Sequence, residues 1–154
     1  LKRIIFPKNF AKEEQFSLSE SDYQFLYREM SMLPRQSDYP SFPDYDKFYD
    51  GYCKFFLYGD TKDEIPDNIK IFNKVGLAYG FVIDNAYIID SKNNIEFLLT
   101  AVIHSNSNQT MNDDEYDYEK ISIPFLASLG RKIYDLELSR FKKILPDLSL
   151  FKTI

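Results

Sequence analysis

The 154-residue chain has the length of one ordinary domain, and 44% hydrophobic against 28% charged residues makes it globular rather than disordered. A formal net charge of −5 argues against general nucleic-acid binding, which usually needs a basic face, so no nucleic-acid partner is expected. Cys53 and His104 are the only residues of their kinds, which excludes an internal disulfide and leaves no set of zinc ligands; no metal and no cofactor is expected.

The first fifteen residues are mixed and read as irregular. In "SLSESDYQFLYREMSMLP", Tyr23, Leu26, Tyr27, Met30 and Leu33 recur at helical spacing and Pro34 stops the run. Ser17 with Glu20, or Ser19 with Asp22, supplies the N-terminal cap. "RQSDYPSFPDYD" is a loop. Tyr45, Phe48, Tyr49, Tyr52 and Phe56 then mark a second helical face ending at Gly59, and the ring-rich stretch from Tyr39 to Tyr58 reads as packing between that helix and a sheet. Cys53 within it reads as a buried structural thiol.

Three strand signals follow, Ile69–Val75, Asn85–Asp90 and Ile95–His104, the last two joined by the turn "SKNN" into an antiparallel hairpin. "FLLTAVI" does not alternate, which predicts a central strand covered on both faces. Phe97–Ile103 is the longest apolar run and is far too short to span a bilayer. Asp113 to Glu119 lies in an acidic, solvated loop. Apolar residues at 126, 129, 133, 136 and 141 then predict a long amphipathic helix starting near Ser122 and Pro124. The order is helix, helix, three strands, helix, with residues 1–154 forming one domain.

Lys74 stands in the apolar strand run, two residues before Gly76, in "KVGLAYG". On composition alone it is either a strand lysine reaching solvent or pairing with Asp84, or part of a site. The element order and this Lys-x-Gly strand resemble the C-terminal part of class A β-lactamases and the related penicillin-recognising serine hydrolases, over most of the chain from Phe16 onward. "DNAYIID" is similar to the family's next strand, "EFLLTAVIHSN" to its long central strand and "PFLASLGRKIYDLEL" to its C-terminal helix. The resemblance implies an α/β mixed, β-lactamase/transpeptidase-like partial fold: an antiparallel three-strand meander flanked by helices.

It also implies roles. Lys74 is the catalytic candidate, a fixed positive charge beside the nucleophile and the substrate carboxylate. Val75, Gly76 and Leu77 are the substrate-binding candidates: Gly76 admits substrate to the strand edge and the Leu77 amide forms half of an oxyanion hole. Val75 departs from the family's Thr or Ser, and "DNAYIID" lacks the arginine that many class A enzymes carry there. The family's Ser-x-x-Lys nucleophile precedes the Lys-x-Gly strand. Here the two matches, Ser139 to Lys142 and Ser149 to Lys152, follow it, and occur about as often as chance allows.

The expectation is therefore a C-terminal region whose nucleophile lies outside this chain, from a protein exported to a bacterial periplasm. The chain begins at Leu1 with no secretory signal, which fits a trimmed product or a fragment. Its expected partners are the missing N-terminal half or a second copy, and a small-molecule amide or ester as substrate. The alternative is a non-catalytic binding or assembly module on the same scaffold.

Overall fold

Tyr79 and Gly80 both adopt positive φ, 50° and 86°, and so form a two-residue turn whose twist suits a tight hairpin. A computed structural model, which describes residues 1–151 and 154, shows this turn joining β1 (Ile69–Ala78) to β2 (Phe81–Asp90). A second antiparallel pairing joins β2 to β3 (Ile95–His104), and the sheet order is β1-β2-β3. The second turn is organised by the Asp90 carboxylate, which accepts from the Lys92 and Asn93 amides and from the Asn68, Asn93 and Tyr134 side chains. Burial pushes that carboxyl up, but the bonds from Tyr134, Asn93 and Asn68 outweigh it and hold its pKa at about 2.

Strand alternation divides the side chains between two faces. Ile71, Val82, Ala86 and Ile88 lie on one face, packed against Phe56, Leu57 and Leu126. Leu126 belongs to α4 (Ile123–Ser139), which Pro124 starts and a π-helical turn at Tyr118–Ser122 precedes. Phe72, Tyr87 and Ile89 lie on the opposite face. They are covered by Ile5 of α1 (Lys2–Ile5), Tyr27 of α2 (Glu20–Ser31), Leu148 and Phe151. The Phe72, Tyr87 and Phe151 rings meet at 5.1–5.9 Å, and burying each contributes about 2 kcal/mol.

The cap of α2 is Ser19, whose hydroxyl accepts from the Asp22 amide while Asp22 bonds back to the Ser19 amide. The strands run further than expected: β1 continues to Ala78 and β2 starts at Phe81, because the Tyr79–Gly80 turn lets pairing reach the hairpin tip. α4 begins where Ser122 and Pro124 suggested.

Three expectations are corrected. Residues 45–59 are not one helix. They form a 3-10 turn, Asp50–Cys53, and a single turn, α3 (Phe55–Tyr58), in which Phe56 is extended and Leu57 has φ 74°. The chain doubles back here because Gly51 has no side chain: a Cβ on it would lie 2.0 Å from the Tyr58 carbonyl oxygen. The buried Asp50 carboxylate anchors the reversal by accepting from Arg35 Nε at 2.9 Å and the Ile65 amide at 2.8 Å. The rings of this stretch accordingly divide. Phe55 and Phe56 enter the core, while Phe42, Phe48 and Tyr52 stack on one another nearer the surface. Cys53 is exposed rather than buried. β3 is an edge strand, not the central one: α4 covers one of its faces, while Leu98 and Val102 on the other are exposed.

The strained Leu57 is held from α4. Arg131 Nη1 donates to its carbonyl at 2.6 Å and forms a two-pronged pair with Asp60. Gly130 lets the backbones touch, since a Cβ there would sit 2.7 Å from the Leu57 nitrogen and 2.9 Å from Phe56 Cβ. Gly130→Ala is expected to lower stability by about 1–3 kcal/mol despite Ala's better helix propensity, read as a shift in the urea midpoint.

Candidate functional site

Lys74 lies in the outer half of β1 on the face that α2 leaves open. Cross-strand register sets it in a row with Asn85 and Thr100; the next row is Gly76, Ile83 and Val102, and the last is Ala78, Phe81 and His104. In the first row Thr100 Oγ1 donates to Asn85 Oδ1 at 2.7 Å. Lys74 is exposed and its Nζ donates to the Val75 carbonyl oxygen at 2.5 Å. It does not pair with Asp84, whose side chain belongs to the other face. Gly76 lets the Ile83 side chain close in on β1, because a Cβ there would crowd Ile83 Cγ2 at 3.1 Å. Ring contact at 4.3 Å places His104 against Phe81.

The two-residue turn closes on a hydrogen-bonded Ala78–Phe81 pair. In an antiparallel ladder that assigns the even residues of β1 to β2 and turns the N–H and C=O of Asn73, Val75 and Leu77 outward. The Leu77 amide thus faces the open edge, two residues from the Val75 carbonyl that holds Lys74. Val75 carries its side chain to the other face, where it packs against the core. Lys74, Gly76 and the Leu77 amide therefore come together on one strand edge, and the Val75 side chain does not join them.

A group that sequence reading missed lies at the adjoining stretch of this edge. Lys54, 3% exposed, donates from Nζ to the Met30 carbonyl at 2.7 Å and to Asn73 Oδ1 at 2.8 Å. Asn73 Nδ2 donates in turn to the Cys53 carbonyl and to Asp84 Oδ1, and the Phe56 amide donates to Asp84 Oδ2. Burial pulls the Lys54 ammonium down to about 8, with Asp84 opposing that. Burial pushes the Asp84 carboxyl up to about 6 against the bonds from Asn73 and Phe56. A polar residue at the core-facing position of each apolar strand, Asn73 in "KIFNK" and Asp84 in "FVIDN", was the available signal.

Two clefts flank the sheet. One of about 480 Å³ lies at the start of β1, between Arg28, Arg35, Ile65 and Lys70. The other, of about 550 Å³, lies between Tyr58, Asp60, Arg131 and Tyr134. Neither is lined by Lys74, Gly76 or Leu77, and Lys74 and Leu77 are exposed. Of the two Ser-x-x-Lys matches, Ser139 ends α4 and its hydroxyl donates to the Leu136 carbonyl, and Ser149 begins a 3-10 turn; Lys152 lies outside the described residues. Among the described residues no cluster of His, Cys, Asp and Glu could hold a metal ion, and no helix is long and apolar enough to cross a membrane. Comparison with known protein families, with curated proteins and with solved structures finds no match to this chain.

The buried pair has a signature in stability. The folded pKa of Asp84 lies above its ordinary value, so the folded state holds the extra proton and stability falls as pH rises from about 4 to about 6. The folded pKa of Lys54 lies below its ordinary value, so the unfolded state holds the extra proton and stability rises from about pH 8 to about 10.5. Urea midpoints measured across that range are expected to dip between pH 6 and 8. Asp84→Asn is expected to remove the acid limb of the dip; an unchanged limb would show that another group carries it.

Proposed function

We propose that this chain is the C-terminal region of a β-lactamase-like serine hydrolase that transfers an acyl group through a serine ester. The nucleophilic serine lies outside these 154 residues, and the substrate is a small amide or ester of undefined kind. The observation that carries the reading is the outer edge of β1: an exposed lysine, a glycine two residues on, and an outward-facing amide at Leu77, on the first strand of a three-strand meander closed by a helix. In that reading Lys74 supplies a fixed charge to the nucleophile and to the developing oxyanion. The missing side chain at Gly76 lets substrate lie along the strand edge, and the Leu77 N–H is one of two oxyanion donors. The nucleophile's own amide is the second. The exposure of Lys74 and Leu77 agrees with a site whose opposite wall comes from another part of the polypeptide. An exported, periplasmic location follows from the resemblance alone.

A second reading is favoured by Val75. Its side chain packs into the core, and it offers no hydroxyl to a substrate carboxylate. The same scaffold would then be a binding or assembly module without catalysis.

The two readings separate in the polypeptide encoded by the complete reading frame. A penicillin or fluorophosphonate probe is expected to label a serine preceding Leu1, and Lys74→Ala to slow that labelling by about 100-fold or more. Labelling absent with every acyl and phosphonyl probe, or unaffected by Lys74→Ala, sinks the hydrolase reading and leaves the module.

A further inference from the structure

The two edges of the sheet are protected unequally. Along β1, Lys70 and Lys74 interrupt the apolar pattern, and the Cys53–Lys54 segment is bonded across the edge at Asn73. Along β3, ten residues carry no lysine, arginine or proline, and Glu96 is the only acid. A long edge without those devices is a template for another strand. The Ser105 amide bonds to the Gly80 carbonyl, which continues the ladder with odd residues of β3 facing β2. Residues 96, 98, 100, 102 and 104 therefore turn their N–H and C=O groups to the free side.

We propose that this edge pairs with the same edge of a second copy of this chain, antiparallel about a two-fold axis through Thr100. Every outward residue then meets an outward residue, as a hydrogen-bonded antiparallel pair requires, and the overlap runs the length of the strand. Glu96 meets His104 of the partner subunit. Leu98, 41% exposed, meets Val102 of the partner subunit, a position 58% exposed in the single chain, and Thr100 meets its own copy. Apolar and Thr–Thr pairs are cross-strand combinations that stabilise sheets, and the His104 ring can donate an N–H to the Glu96 carboxylate. Glu96 Oε2 already accepts from the Tyr87 hydroxyl at 2.6 Å, which leaves Oε1 for the new contact.

Shifting the register by one pair on either side removes the Glu96–His104 match and shortens the overlap. The result is a continuous six-stranded sheet with both α4 helices on one face. α4 packs over β3, and its exposed Phe125 and Leu136, eleven residues apart, lie on one side of it.

The hydrolase reading assigns this same edge to strands outside the chain. The two occupants exclude one another, so the association of this chain measures the edge itself and says nothing about the nucleophile. The test is sedimentation of the 154-residue protein across concentrations up to about 100 μM, alone and as Val102→Lys. A dimer is expected, with its dissociation constant raised about 30-fold or more by Val102→Lys, an exposed position whose change leaves the fold intact. A second measurement replaces Cys53 by Ser and compares Thr100→Cys with Ala78→Cys under mild oxidation. Thr100→Cys is expected to form a disulfide-linked dimer, and Ala78→Cys, on the other edge, is not. A monomer at every concentration, a dimer indifferent to Val102→Lys, or equal cross-linking at both positions overturns the proposal.

Discussion

Lys54 is the constraint on which the rest of the molecule depends. An ammonium group removed from water is costly unless its hydrogens find acceptors, and this one finds the Met30 carbonyl at the end of α2 and Asn73 on β1. Through Asn73 it is linked to Asp84 on β2 and to the backbone at Cys53, and Asp84 holds the Phe56 amide. One buried network thus locks a helix end, two strands and the kinked segment before α4. It also explains why residues 45–59 give up a regular helix: an unbroken helix could not present both the Lys54 side chain and the Phe56 amide to the sheet.

That clasp divides β1 into two parts with different prospects. At Asn73 the strand is bonded to the Cys53–Lys54 segment; beyond it Lys74 and Leu77 are exposed, with Lys74 at the boundary. A charge on an exposed edge discourages pairing with another strand, and it also supplies a fixed positive potential beside outward-facing amides. One residue serves both ends, and a substrate-binding edge needs both. β3 has no such residue. Its exposed Leu98 and Val102 are apolar groups whose cover is not within the described fold.

Much of the architecture was legible in the sequence, and the physical reasons are specific. Ser19 with Asp22 makes a cap by local chemistry alone, so α2 could be placed. Ile95–His104 was placed to the residue because a strong apolar run is bounded by a turn and by polar residues. β1 and β2 were underestimated because Gly76 and Gly80 look like interruptions, whereas one lets Ile83 pack closely and the other makes the turn. The candidate site was legible only as the Lys-x-Gly tripeptide. Which face Val75 takes, and that the Leu77 amide points outward, follow from ladder register. The Lys54–Asp84 relation spans thirty positions of sequence and has no local pattern.

The sequence by itself determined the kinds and order of elements, because capping, hydrophobic period and turn chemistry act over a few residues and are written there directly. It also determined that Lys74 precedes Gly76 by two positions, and so that both project from one face of a strand. Only the tertiary structure decided that β2 and not β3 is the centre of the sheet, since an apolar run specifies burial but not which neighbour supplies it. The same holds for Asn73, Asp84 and Lys54. Each is a polar residue in an unremarkable place until folding removes water from all three together, and then their hydrogen bonds must be satisfied by one another.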